Sequence, residues 1–269
     1  MSLPINSGDA ATAWWRTGII DIHPGSIRVR GYAIEDLIGH IPFPAMIWLM
    51  LRGDLPTEGQ ARLLEAALVA AVDHGPQAPS ISIARMTATC GVGLNGAIAA
   101  AVGALGDVHG GAGQQAMELF AAIAEAGGDE AATERVMSGR SGHVPGFGHR
   151  FHPVDPRAPR LLVMADEAVA AGVVQGKYAA IARQVEAWLE RRKGRRIPMN
   201  IDGVTAAIYA ELGFPPPLGR GLFILSRSVG ILAHAWEQQR QGGRIKGPMP
   251  PSIPYTYDGP GPRELEPEA

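Results

Sequence analysis

The chain has 269 residues, 46% of them hydrophobic, and a formal charge of −2. That length can carry one large domain or two modest ones around a sizeable core. The apolar content excludes disorder over most of the chain, and the charge balance gives no support for broad nucleic-acid binding.

A single cysteine, Cys90, excludes an internal disulfide and any cysteine-rich metal site, which fits a reducing cytoplasm. No signal-peptide pattern is visible at the N-terminus, where Asn6, Asp9 and Arg16 interrupt the apolar residues. Apolar runs such as 41–51 are too short to span a bilayer. The composition reads as a soluble cytoplasmic protein with no membrane or nucleic-acid partner.

Residues 15–32 alternate apolar and polar around Gly25 and predict a short N-terminal β-hairpin. Helical patterns follow. Residues 43–51 are apolar nearly all round, as in a buried helix. Thr57 is placed to cap a helix from Glu58 towards Val72, with Leu63, Leu64, Ala67 and Leu68 on one face. Residues 92–105 are rich in alanine and glycine, so helix backbones can approach closely there. Residues 114–126 are amphipathic. The stretches 160–171, 178–192, 204–212 and 218–241 all show a period near 3.6. From Gly247 the prolines and glycines predict an irregular arm. The fold class is mostly α, and a smaller helical domain at 110–200 inserted into a larger one at 1–109 and 201–269 is the expected organisation.

The segment from Val144 to Arg157 holds most of the chemistry. Glycines and prolines exclude a helix or strand interior, and a loop on a rigid scaffold is a common place for function. His149, between Gly148 and Arg150, titrates near neutral pH and reads either as a loop histidine or as a proton-transfer group. Arg157 offers a planar fork for a carboxylate, which Asp155 can orient, or Asp155 can simply cap a helix. His152 reads as structural.

Other candidates are scattered along the sequence. His109 opens His109-Gly110-Gly111-Ala112-Gly113 and reads as a helix C-cap or as a donor to a developing oxyanion. Asp202 precedes a helical pattern, as an N-cap or as a carboxylate base. Arg227 lies among Phe223, Ile224, Leu225 and Val229; it faces solvent, or it is buried and requires a carboxylate or bound anion. Asp73-His74-Gly75-Pro76 either terminates a helix or presents His74 to a ligand.

Two decoys are set aside. Gly91-Val-Gly-Leu-Asn-Gly96 matches G-x-G-x-x-G, but residues 82–90 make a poor strand and βαβ alternation is missing, so no dinucleotide cofactor is expected. The spacing of His143, His149 and His152 fits no helical metal-binding pair, so no metal is expected either.

Taken in order, Arg30-Gly-Tyr-Ala-Ile-Glu-Asp-Leu37, Gly53-Asp-Leu-Pro-Thr57, Asp73-His74, His109-Gly-Gly-Ala112, Pro145-Gly-Phe-Gly-His-Arg150, Asp155-Pro-Arg157, Asn200-Ile-Asp202 and Ser226-Arg-Ser-Val-Gly230 resemble the citrate synthase family. The series runs through nearly the whole chain. The resemblance implies three catalytic residues. His109 would bond the thioester carbonyl of an acyl-CoA, Asp202 would remove the α-proton, and His149 would bond and protonate the keto oxygen of oxaloacetate. It implies that His74, Arg157 and Arg227 hold substrate carboxylates, and that Pro145, Gly146, Phe147 and Gly148 meet coenzyme A through the backbone. Coenzyme A is then part of the substrate, and no separate cofactor is implied. It also implies a homodimer or larger homo-oligomer whose two domains close over the substrates.

The chemistry agrees. A thioester α-carbon is a weak acid, so a carboxylate base needs a partner that stabilises the enolate oxygen, a second acid at the ketone, and cations for the carboxylates. Two departures from the family pattern matter. The chain is far shorter than a typical citrate synthase. In Arg244-Ile-Lys-Gly-Pro248, Gly247 stands where the family supplies an arginine from the partner subunit, and Lys246 is a weaker substitute. Both departures, with Asp73-His-Gly-Pro76, Asn200-Ile-Asp-Gly203 and Ala233-His-Ala-Trp-Glu-Gln-Gln-Arg240, are more similar to citryl-CoA lyase and the citrate-synthase-like module of ATP-citrate lyase. His109-Gly-Gly is more similar to citrate synthases. The expected reaction is cleavage of citryl-CoA to acetyl-CoA and oxaloacetate. The alternatives are citrate or methylcitrate synthesis, and a non-catalytic acyl-CoA-binding relic.

Overall fold

A computed structural model describes residues 12–140, 142–250 and 252–264. The fold is mostly helical, with one three-stranded antiparallel sheet in the order β1-β2-β3, formed by β1 (Ile20–His23), β2 (Ser26–Val29) and β3 (Tyr32–Ala33). The hairpin is where alternation placed it, with Ile20 opposite Val29 and Ile22 opposite Ile27. Helices follow: α1 (Ile34–Leu37), α2 (Phe43–Arg52), α3 (Glu58–Ala70), α4 (Pro79–Ala88), α5 (Leu94–Gly103), α6 (Ala112–Glu125), α7 (Glu130–Ser138), α8 (Arg157–Ala170), α9 (Lys177–Lys193), α10 (Ile201–Glu211) and α11 (Pro216–Gln241). Among the described residues no helix is long and apolar enough to cross a membrane.

Backbone contacts divide the chain into two compact units, Met1–Asp73 with Leu105–Val229, and His74–Ala104 with Gly230–Ala269. The first holds the main core. Its centre is α10, whose residues are buried almost without interruption from Ile201 to Tyr209. Gly203, Ala206 and Ala207 keep that helix slim, and α3, α6, α8 and α9 pack around it. Thr57 caps α3 as its sequence predicts, in a reciprocal capping box with Gln60. The N-terminus of α9 starts at Gly176, which has no side chain to cap it. Glu211, at the end of α10, substitutes by accepting from the backbone N–H groups of Gly176, Tyr178 and Ala179. Arg30 fastens the hairpin to α2 by donating to the carbonyls of Gly18 and Met50.

In the second unit α4 packs on α5. Arg85 on α4 donates to Glu237 and Gln241 on the last turns of α11. The arm after α11 is anchored to the end of α4, because Ile245 N–H donates to the Thr89 carbonyl and Lys246 N–H to Thr89 Oγ1. Beyond it the described tail is irregular and exposed, as its prolines and glycines predict.

One expectation needs correction. Helix α2 is not buried all round: Ala45, Trp48 and Leu49 face the core, but Phe43 is 76% exposed. Apolar composition alone does not separate a fully buried helix from a surface one. Residues 82–90, which read as a poor strand, form none: α4 runs through to Ala88. Pro79 in its first turn is a helix-start signal that the sequence reading passed over.

Candidate active site

The site in the first unit is built around the N-terminus of α10. Asn200 is its N-cap; Oδ1 accepts from the N–H groups of Asp202 (3.0 Å) and Gly203 (3.2 Å). Capping therefore falls to Asn200, and the Asp202 carboxylate in the first turn is left for other work. Asn200 also reaches across to the loop that carries His149. Its Nδ2 donates to the Gly148 carbonyl, its backbone N–H donates to the Gly146 carbonyl, and Gly148 N–H donates to the Pro198 carbonyl. Phe147 and Met199 complete a short antiparallel bridge. The approach is close enough to require glycine on both sides. A Cβ on Gly146 would stand 2.7 Å from Gly203 Cα, and a Cβ on Gly203 would collide with the Gly146 carbonyl oxygen. Phe147 turns inward, edge-on to Phe120.

His149 follows on this loop. Its Nδ1 accepts from the backbone N–H groups of Phe151 and His152, both at 3.1 Å. Those bonds place the proton of the neutral ring on Nε2. Burial lowers its pKa, with help from His152 and Arg157 and against the pull of Asp155. A neutral imidazole that donates from Nε2 suits a ketone or alkoxide oxygen.

Asp155 is the pivot of the cluster, with 1% of its surface exposed. It accepts from Arg157 N–H (3.1 Å), Nε (2.9 Å) and Nη2 (2.8 Å), and from the N–H of Ile201 at the start of α10 (3.0 Å). Burial alone would raise its pKa; the bonds from Arg157 and Ile201 outweigh it and hold the carboxyl at about 2. Asp155 thus orients Arg157 and joins the start of α8 to the start of α10. Arg157 Nη1 turns towards the Ala70 carbonyl (3.4 Å).

Arg227 is buried, not on a solvated face, with 5% exposure. Its Nε donates to the Ala71 carbonyl (3.1 Å), and its guanidinium lies over the Phe223 ring at 4.9 Å. Burial works against its charge, while Asp202 and Asp73 support it. The same guanidinium acts on His109, whose pKa is lowered first by burial and then by Arg227. Asp202 shows the opposite sign: burial raises its pKa, Arg227 and Arg157 oppose the rise, and Asp155 adds to it. His109, His149, Asp202, Arg157 and Arg227 therefore share one electrostatic cluster through the two arginines.

His109 does not end the small-residue helix. Helix α5 stops at Gly103, and His109 lies in the turn just before α6. That turn is braced by Arg220 on α11, which pairs with Asp107, and by Gln115, which donates to the Asp107 carbonyl. His74 and Lys246 belong to the second unit, where both are exposed. The segment Gly91–Gly96 joins α4 to α5 and follows a helix, which excludes the strand that a dinucleotide fingerprint needs. Asn200, Tyr209 and Asp73 were missed in the sequence, although Asn200 carries an N-cap signal two residues before Asp202.

The family model described as citrate synthase, C-terminal domain, matches residues 56–249. The chain belongs to the citrate synthase family. Citrate synthase from Haloferax volcanii is 32% identical over 209 residues, covering 77% of this chain and 53% of that protein. The chain spans about half the length of the curated relatives it matches. Among solved structures, citryl-CoA lyase from Hydrogenobacter thermophilus is 35% identical with a TM-score of 0.85, covering 94% of this chain and 97% of that one. Citrate synthase from Thermoplasma acidophilum, solved with carboxymethyl coenzyme A and oxaloacetate, is 27% identical with a TM-score of 0.68, covering 84% and 59%. The citrate synthase fold, with its helices and small sheet, is the one the sequence motifs implied.

Proposed function

We propose that this member of the citrate synthase family makes or breaks the bond between the α-carbon of an acyl-CoA and the carbonyl carbon of a 2-oxo acid, and that it cleaves citryl-CoA to acetyl-CoA and oxaloacetate. The observation that carries the reading is the cluster at the start of α10. A carboxyl with a raised pKa, two histidines with lowered ones and two arginines occupy it together.

In cleavage, the proton of the tertiary hydroxyl passes to solvent while the Nε2–H of His149 donates to the alkoxide left behind. As the alkoxide collapses to the ketone of oxaloacetate, the carbon–carbon bond breaks and its electron pair becomes the thioester enolate. His109 holds the enolate oxygen, and Asp202, protonated at this stage, delivers its proton to the α-carbon. A raised pKa suits a carboxyl that must carry that proton. Arg157 and Arg227 bind carboxylates, and the Pro145–Gly148 backbone meets coenzyme A. In the reverse direction Asp202 is the base.

Likeness over nearly the full length of both chains favours the lyase direction. The synthase reading is kept by the named relatives and by His109-Gly-Gly; a synthase must in addition hydrolyse the citryl thioester. A homodimer is part of the proposal. Leu225, Val229, Leu232 and Trp236 form an exposed apolar stripe at i, i+4, i+7 and i+11 on α11, a seam that suits a second copy. Lys246, exposed on an arm anchored at Thr89, would be the clamp offered to the partner's site. Residues 110–200 carry His149 and Arg157, whereas His109, Asp202 and Arg227 flank them in sequence. An inserted domain at 110–200 stays part of the proposal on the family resemblance alone, since backbone contacts group those residues with 1–73 and 201–229.

The test supplies citryl-CoA and follows oxaloacetate, then supplies acetyl-CoA with oxaloacetate and follows free thiol. Oxaloacetate release in the first assay with little thiol in the second is expected. Silence in both, with other acyl-CoAs and 2-oxo acids also inert, rejects the reading.

A further inference from the structure

Helix α10 is almost wholly apolar after its first turn, yet Thr205 and Tyr209 interrupt it at 5% and 2% exposure. With Asp202 they stand at i, i+3 and i+7, a single stripe along one helix face. Long helical side chains lean back towards the N-terminus, the direction in which Asp202 lies from Tyr209, and the Asp202 charge acts on the Tyr209 phenol. That hydroxyl is buried and finds no hydrogen-bond partner among the described residues. A sealed, unbonded hydroxyl is costly. Packing does not account for it, because the edge-on contact of Tyr209 with Phe214 (6.4 Å) needs only a ring. Thr205 Oγ1 donates to the Ile201 carbonyl at 2.8 Å, which leaves its lone pairs as acceptors midway along the stripe.

We propose that Tyr209 is a positioning residue of the reaction: through one buried water shared with Thr205 Oγ1, its hydroxyl donates towards the Asp202 carboxylate, orients it and favours its ionised form, the form Asp202 takes as base in condensation and returns to once it has delivered its proton in cleavage. The proposal rests on the reading of Asp202 as the group that moves the α-proton. Hydroxyl, threonine oxygen and carboxylate give such a water the partners it needs in an interior. The electrostatics point the same way, since burial and then the Asp202 charge push the Tyr209 phenol above its usual range. The other charges that bear on Asp202 are Arg227 from α11, and Arg157 and Asp155 from the start of α8. Asp73 and His109 bear on Arg227. Against the two arginines and the burial, a neutral donor on the same helix is a means of trimming the carboxyl pKa without adding charge.

The experiment is a carboxyl-carbon NMR titration of protein labelled at aspartate, with the Asp202 signal identified by its loss in Asp202→Asn. In Tyr209→Phe the Asp202 midpoint should rise by about one pH unit, the size expected for losing a hydrogen bond to a charged group. In Thr205→Val it should rise by a smaller step. From the other side, the Tyr209 ring-carbon resonance, identified by its loss in Tyr209→Phe, should follow the Asp202 titration and lose that inflection in Asp202→Asn. An unmoved midpoint in Tyr209→Phe, whether or not the variant gains thermal stability, overturns the proposal. So does a Tyr209 resonance blind to Asp202. The titration requires no turnover, so inactivity on citryl-CoA would count against the functional reading alone.

Discussion

Replacing Asp155 with asparagine tests the pivot of the site. The carboxylate accepts four hydrogen bonds, three from Arg157 and one from the N–H that opens α10. It is held at about 2 against an ordinary 3.8. At about 1.4 kcal/mol per unit, that depression stabilises the fold by about 2 kcal/mol at neutral pH. The amide also turns an N–H pair towards a donor, which brings the expected cost to about 3 kcal/mol, the low end for breaking a buried charge pair. The group's folded pKa is depressed, so its contribution is present above the unfolded value and lost as pH falls through about 2. Urea unfolding of Asp155→Asn at pH 7 should show a loss of about 3 kcal/mol relative to wild type. The gap should narrow by about 2 kcal/mol between pH 4 and pH 2, as the wild-type carboxyl protonates. Equal stabilities at pH 7, or a gap that stays constant down to pH 2, would refute the reasoning.

Gly203→Ala places a methyl against the Gly146 carbonyl, and the blocking atoms are backbone; a loss of about 1–3 kcal/mol in chemical denaturation, with reduced activity, is expected. Arg227→Gln removes a buried cation that supports the Asp202 charge. In the condensation direction, where oxaloacetate is a substrate and Asp202 the base, the KM for oxaloacetate should rise about 10–100-fold, and the acidic limb of the rate profile should move to higher pH as the Asp202 carboxyl rises further. Val229→Asp, in the middle of the exposed α11 stripe, should convert the proposed dimer to monomers in sedimentation; an unchanged sedimentation coefficient removes that stripe from the proposed interface.

Local signals were legible wherever the deciding physics is local. Alternation around Gly25 gave the hairpin, Thr57 with Gln60 gave the start of α3, and the motifs gave the family. Cluster members could be named from His109-Gly-Gly, Pro145-Gly-Phe-Gly-His149, Asp155-Pro-Arg157, Asn200-Ile-Asp202 and Ser226-Arg227. Which residue caps α10 and which way Arg227 faces were decided by contacts that no spacing encodes. Asp202 was freed from capping because Asn200 takes that role. Arg227 proved buried because its helix turns that face inward, onto the Ala71 carbonyl. The bond from Asp155 to Ile201 N–H joins residues 46 positions apart, and nothing near either residue announces it. Tyr209 was illegible for a related reason: a tyrosine on a buried helix is ordinary, and only the absence of a partner for its hydroxyl among the described residues marks it.

The central claim is that Asp202 moves the α-proton. Acetyl-CoA incubated in deuterated buffer with the protein and a non-reacting oxaloacetate analogue should gain deuterium at its methyl group. Asp202→Asn should keep the native circular dichroism spectrum and lose that wash-in by about 10²–10⁴-fold. Wash-in at the wild-type rate in Asp202→Asn would contradict the account.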